Sequence, residues 1–258
     1  MHSGLPPEYT AAGRYDGGEF GARRVVDAEG RAYVFKDQPP GLAPATTEAL
    51  RAVGYPAPRY VAWGDDWCIQ EELPGTPISH WGAPLPPRLL ELNELQAGRA
   101  VDDDASWPAA AVAWTVGGHD DYMFVVELER HSAEGRELVR RCREIVDRHA
   151  ADLPAPRDVV HWDLTAANVL AERGEVTGVI DWNGTQTGDR LFDLATWLYY
   201  GPDEALRRYI ADRAGEGGLA VYLAHMAIRQ AGWSVHRHPP EAGWAMVRYG
   251  LQTVTNAT

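Results

Sequence analysis

The stretch His161–Trp182, HWDLTAANVLAERGEVTGVIDW, holds the residue types and spacing most able to do chemistry. An apolar pair, Val159–Val160, leads into His161 and Asp163, and Asn168 follows five positions after that aspartate. Val169–Leu170 and Val176–Ile180 read as short strands joined by a tight turn at Gly174–Glu175, glycine first. Counting outward from that turn sets Ala171 opposite Gly178 and Asn168 opposite Asp181, which brings an amide oxygen beside a carboxylate. Two such oxygens suit a hard cation such as Mg²⁺, which takes few protein ligands and completes its shell with phosphates and water. Asp163, separate and upstream, can orient a hydroxyl and accept its proton. Together these groups have the layout of a phosphoryl-transfer site. A lone Asp or Asn in a hairpin more often caps a turn, so the constellation carries the inference and no single member does.

At these residues the sequence resembles the protein-kinase-like fold, with HxDxxxxN at His161–Asn168 and an aspartate, Asp181, closing a strand. Ile180–Asp181–Trp182 and the later Gly188–Asp189…Asp193–Leu194–Ala195 resemble the aminoglycoside phosphotransferase branch, which includes viomycin and capreomycin phosphotransferases. The resemblance implies an α+β, two-lobed fold. Residues 1–73 would form a small antiparallel β-sheet lobe with one helix that binds nucleotide. Residues 74–258 would form a larger, mainly helical lobe carrying the catalytic loop and the acceptor pocket. It further implies Asp163 as the catalytic base, Asn168 and Asp181 as Mg²⁺ ligands, and His161 and Asp193 as structural supports of the catalytic loop.

The elements that must position these groups come earlier. Tyr15-Asp-Gly-Gly-Glu-Phe-Gly21 reads as a glycine turn in which Gly17, Gly18 and Gly21 let backbone N–H groups approach phosphates, although most such turns are only turns. Ala22–Val26 and Arg31–Lys36 read as strands, and a period of two puts Ala32, Val34 and Lys36 on one face. Thr46–Val53 reads as a short helix capped by Thr46 or Thr47 and ended by Gly54, with Glu48 in its first turn. Glu48 either answers the helix dipole or, as the resemblance implies, pairs with Lys36 to fix the α/β-phosphates of ATP. Tyr60–Trp63 and Trp67–Glu71 complete five strands. By resemblance the segment Gln70–Gly75 is the hinge, where the Glu71 carbonyl and Leu73 amide read adenine.

Pro86–Gly98 carries a stripe of leucines and Ser132–Asp152 is an amphipathic helix, both explained by core packing. Between them Val101–Phe124 is rich in Asp and Trp, and acidic triplets there are usually solvated loops. The resemblance makes this insertion and the C-terminal helices the acceptor pocket, with Asp120, Asp121, Asp189 and Trp233 as lining residues. From Asp203 onward the chain reads as helices interrupted at Gly215–Gly218 and Pro239–Pro240.

With 258 residues the chain is long enough for two lobes with a proper core. A net charge of −13 argues against nucleic acid or an anionic membrane as partner and suits a cationic small-molecule acceptor. The longest nearly apolar run, Ala109–Val116, is too short to span a bilayer, and the N-terminus lacks an apolar signal segment. Cys68 and Cys142 lie far apart and read as reduced core thiols, so the expected location is cytoplasmic. Monomer and homodimer are both open. Lys36 is the only lysine among 24 Lys and Arg, the pattern of a GC-rich bacterial genome that replaces lysine by arginine wherever charge alone matters. A surviving lysine points to a task needing a compact point charge, such as holding phosphate.

The sequence also departs from its relatives. Trp162 stands where they usually have glycine, and Thr165-Ala-Ala replaces the commoner His-Pro-Gly before Asn168. Thr165 is not the lysine of Ser/Thr protein kinases, and eleven residues between Asp181 and Asp193 are too few for a peptide-docking activation segment. The expected reaction is therefore transfer of the ATP γ-phosphoryl group to a hydroxyl of a small cationic antibiotic, an aminoglycoside or a viomycin-type cyclic peptide. Metabolic kinases for amino alcohols or sugars, macrolide kinases, and a non-catalytic nucleotide-binding module are the alternatives.

Overall fold

Short strands of alternating side chains, separated by turns rich in Gly and Asp, fold the N-terminal part of the chain into an antiparallel sheet. The computed structural model describes residues 5–15, 21–78, 85–104, 106–119 and 123–256. The chain divides into two compact units, residues 1–80, 85–102 and 158–186 in one and 81–84, 103–157 and 187–258 in the other.

In the first unit, strands β1 (Thr10–Arg14), β2 (Arg23–Val26), β3 (Ala32–Lys36), β4 (Tyr60–Trp63) and β5 (Cys68–Glu71) lie in the order β1-β2-β3-β5-β4. Every neighbouring pair is antiparallel. Phe35 of β3 points into a core with Val25 and Ile69, each no more than 1% exposed. The period of two then turns Val34 and Lys36 to the opposite face. Helix α1 (Ala43–Arg51) begins three residues before the expected Thr46, because Pro44 supplies a preset φ in its first turn. Thr46 and Thr47 are consequently buried inside the helix instead of capping it, and Glu48 falls past the first turn on an exposed face.

Compactness groups the chain differently from the expected division at residues 73 and 74, because the catalytic segment is sewn to the strand and helix just past the hinge. Strand β6 (Thr76–Pro77) pairs with β8 (Val169–Glu172), Thr76 opposite Ala171. Helix α2 (Pro87–Leu95) ends near Gln96, whose Nε2 donates to the Val159 carbonyl of β7 (Asp158–Val160) at 2.9 Å. The hairpin of β8 and β9 (Glu175–Val179) turns one residue earlier than expected. Glu172 pairs with Glu175 around Arg173 (φ 53°) and Gly174 (φ 86°), two positive dihedrals that make a type I′ turn. A register shift lies between Leu170 and Ala171, so Ala171 pairs with Val176 and Leu170 with Gly178. Asn168 is thereby set opposite Ile180, whose N–H donates to its carbonyl at 2.9 Å, and Asp181 lies one residue beyond the expected register.

The second unit is helical, with α3 (Trp107–Gly117), α4 (Val125–His131), α5 (Ala133–His149), α6 (Leu191–Tyr200), α7 (Glu204–Arg237) and α8 (Pro240–Asn256). Helix α5 buries Leu138, Val139, Cys142, Ile145 and Val146 as its stripe predicts, and the Ser132 hydroxyl accepts from the Gly135 N–H at 2.9 Å to cap it. The expected breaks appear as a kink in α7 at Gly215 (φ 76°) and as the start of α8 at Pro240. Helix α3 comes from the stretch read only as an acid-rich insertion, and α4 from the residues between it and Ser132. No described helix is long and apolar enough to cross a membrane.

Candidate active site

The catalytic segment is held by its own backbone. The Ile180 carbonyl lies 2.7 Å from His161 Nε2 and can only accept, so Nε2 carries the proton; Nδ1 then accepts from the Asp163 N–H at 3.2 Å. Both ring nitrogens of the buried His161 are thus engaged by backbone groups. The Asn168 side-chain amide donates from Nδ2 to the Asp163 carbonyl (2.9 Å) and to Asp163 Oδ2 (3.0 Å). These bonds fix the carboxylate and turn the Asn168 Oδ1 the other way.

Asp181 takes a left-handed backbone conformation, φ 67°, and so does Trp162, φ 77°. Only Arg173 joins them among described non-glycine residues, so two of the three strained positions flank the site. The strain at Trp162 gives a physical reason for glycine in its relatives. From this turn the Asp181 carboxylate accepts from Lys36 Nζ at 2.7 Å. Burial works to raise the pKa of Asp181, but the charge and hydrogen bond of Lys36, with His161 adding, outweigh it and hold the carboxyl below its ordinary value. The lysine side chain is 11% exposed and the aspartate 39%, so the pair opens to solvent on the acid's side.

The expected Lys36–Glu48 pair is not formed. Glu48 is exposed and takes no ion pair among the described residues, because Thr46, Thr47 and Leu50 form the buried face of α1 and leave it on the solvent side. A residue that sequence reasoning missed stands in its place: Asn183 Oδ1 accepts from Lys36 Nζ at 3.3 Å. Its only sequence signal is an amide two positions past Asp181.

For a divalent cation, the Asn168 side-chain oxygen and the Asp181 carboxylate would offer hard oxygen donors. No described group of three or more His, Cys, Asp or Glu side chains could hold a metal by itself. The donor set fits Mg²⁺, which binds through one or two carboxylates and the substrate's phosphates.

At the hinge, Glu71 spends its side chain on Arg51 (3.2 Å) and on the Arg59 N–H (3.4 Å), and its own N–H donates to the Arg59 carbonyl at 2.8 Å. The Leu73 N–H has no acceptor among the described residues. Gly21 has φ 68°, as a glycine turn requires; Gly17 and Gly18, with Asp120 and Asp121, lie outside the described residues. Asp189 does not serve as a pocket lining: it is 2% exposed and its carboxylate accepts from the Leu191 N–H at 2.9 Å and from the Tyr222 hydroxyl. It caps α6 and faces the helical core. Asp193 is fully buried on α6. Trp233 on α7 is half-buried, 6.2 Å from the Phe124 ring and beneath the Arg237 guanidinium.

Residues 14–228 match the phosphotransferase enzyme family. The chain belongs to that family. This phosphotransferase-family protein is similar to hygromycin-B 4-O-kinase of Escherichia coli, 32% identical over 120 residues that make up 41% of this chain and 35% of the relative. The matched segment thus spans about a third of that relative's length. Its fold is similar to that of the aminoglycoside phosphotransferase APH(4)-Ia in a ternary complex with ADP and hygromycin B, with a TM-score of 0.69 and 17% identity over 95% of this chain and 92% of that one. A macrolide 2′-phosphotransferase type I shares the fold at a TM-score of 0.61 and 18% identity, over 93% of this chain and 91% of the other. The α+β kinase-like architecture expected from the sequence is the one present.

Proposed function

We propose that this protein transfers the γ-phosphoryl group of ATP to a hydroxyl of a small cationic antibiotic, with hygromycin-type aminoglycosides as the first acceptors to try. The observation that carries the reading is the fixed carboxylate of Asp163, clamped through Oδ2 by Asn168 at 3.0 Å, in the same compact unit as the Lys36–Asp181 pair. In a loose transition state, positioning and charge neutralisation supply most of the acceleration. Asp163 orients the acceptor hydroxyl and takes its proton. Lys36 places a positive charge on the α/β-phosphates, and the Glu71 carbonyl and Leu73 amide align the adenine. Bound through Asn168 and Asp181, Mg²⁺ would neutralise charge on the phosphate oxygens. The net charge of −13 favours a cationic acceptor over an anionic one.

The test is ADP release by the purified protein with Mg²⁺ and ATP against hygromycin B, other aminoglycosides, viomycin-type peptides, macrolides and amino alcohols. A mass gain of one phosphate on an aminoglycoside supports the reading. Turnover confined to a macrolide would favour the second reading, which the shared fold with a macrolide phosphotransferase supports. Absence of Mg·ATP binding would sink both.

A further inference from the structure

Asn183 sits in the short 3-10 turn Trp182–Gly184 just after Asp181, and its side chain is the meeting point of four other segments. Oδ1 accepts from Lys36 Nζ (3.3 Å) and from the Tyr60 hydroxyl (3.2 Å). Nδ2 donates to the Pro39 carbonyl (2.9 Å) and reaches Cys68 Sγ (3.6 Å). Partner chemistry fixes which end is which: an ammonium can only donate and a carbonyl can only accept, so a flipped amide would face donor with donor and acceptor with acceptor. Two donors and two lone pairs are the full capacity of a primary amide, and all are engaged. The residues around it are buried, with Lys36 at 9% and Tyr60 at 7% exposure and Cys68 at none.

We propose that Asn183 is the positioning residue for Lys36, filling the role that a helix glutamate was expected to play. The proposal rests on the phosphoryl-transfer reading above and deepens it. Lys36 has two acceptors, the carboxylate of Asp181 and the amide of Asn183. When Asp181 turns its charge to the nucleotide's cation, Asn183 is the acceptor that keeps the ammonium in place. A neutral amide does this without cancelling the charge, so Lys36 presents its full positive charge to phosphate, whereas a glutamate partner would offset part of it. Asn183 is itself anchored through Pro39 and Tyr60, so its hold on Lys36 does not depend on the exposed side of the site.

The test is the dissociation constant for Mg·ATP, measured calorimetrically on the wild type, Asn183→Ala, Lys36→Ala and the double variant, alongside thermal melting. Asn183→Ala should weaken binding about tenfold, the scale of a lost hydrogen bond to a charged group. It should have no further effect in the Lys36→Ala background, because it acts through the lysine. Asn183→Ser, which keeps a neutral acceptor, should recover part of the loss, and Tyr60→Phe should weaken binding less than Asn183→Ala. Equal losses in both backgrounds, or wild-type affinity in Asn183→Ala, would overturn the role while leaving the phosphoryl-transfer reading in place. A wild type that does not bind Mg·ATP would overturn both.

Discussion

Lys36 Nζ lies 2.7 Å from Asp181 Oδ1, so the lysine proposed to hold phosphate and the aspartate proposed to hold metal are partners of each other in this structure. The pairing keeps a nearly buried ammonium satisfied and holds the Asp181 carboxyl below its ordinary pKa. Nucleotide and cation would have to share the two groups between them. The expected outcome is that Mg²⁺ and ATP each bind weakly alone and tightly together. Titrations of either in the presence and absence of the other check this, and independent binding would contradict it.

Lys36→Arg should lose activity by about tenfold or more, since a charge-assisted hydrogen bond is worth roughly 1.5–3 kcal/mol. A planar fork does not fit a site built for one point charge with acceptors at 2.7 and 3.3 Å. Wild-type kcat/KM in that variant would remove Lys36 from the site.

Asp163→Asn should lower kcat by about 10²–10⁴-fold, the range of a lost general base. The amide can still bond Asn168, so Mg·ATP affinity should persist. Loss of both together would assign Asp163 to nucleotide binding.

Glu48→Ala should raise the KM for ATP far less than Asn183→Ala does, because Glu48 is exposed and has no ionic partner among the described residues. The reverse order would restore the helix glutamate as the lysine's anchor.

Stability should fall with acidity through His225. Fully buried, with the Arg229 charge adding a smaller push, this histidine has its pKa lowered from 6.5 to about 3. Thr115 Oγ1 donates to the Ala111 carbonyl at 2.7 Å, so at 2.9 Å it accepts from His225 Nδ1–H, while burial keeps the ring neutral. The unfolded chain therefore binds a proton between pH 6.5 and 3 that the folded one does not. Stability contributed by the neutral ring is complete above pH 6.5 and drains away as pH falls, with a slope of at most about 1.4 kcal/mol per pH unit from this one group. Urea midpoints across that range should fall less steeply in His225→Gln, and an identical slope would exclude His225 as the cause.

Gly75 marks where the hinge joins the catalytic hairpin. It has φ 102°, and a Cβ there would meet the Ala171 carbonyl oxygen at 3.0 Å and clash with Thr177 Oγ1. Gly75→Ala should cost about 1–3 kcal/mol of stability through backbone strain, read as a lower urea midpoint. An unchanged midpoint would show that the junction gives way.

The amino-acid sequence alone determined the chemical inventory, because the relevant signals are local. Asp163 and Asn168 fall within one loop, the alternation of β3 separates Lys36 from Phe35, and the Arg173–Gly174 turn lies within one residue of where a glycine placed it. Strands β2 to β5, the α5 stripe and the breaks at Gly215 and Pro240 were legible for the same reason, whereas β1 at Thr10–Arg14 was not. Tertiary structure alone decided the partners. Lys36 and Asp181 are 145 positions apart, and nothing in the spacing chooses between Asp181, Asn183 and Glu48. A one-residue shift in the β8–β9 ladder moved Asn168 opposite Ile180, and the packing of Thr46, Thr47 and Leu50 into the core left Glu48 outward. Asp189 reads as an acid near a substrate, yet packing against Tyr222 makes it a buried cap. Residue type and short-range geometry specify what a side chain can do, while which of its options is taken depends on burial and on groups delivered from distant segments.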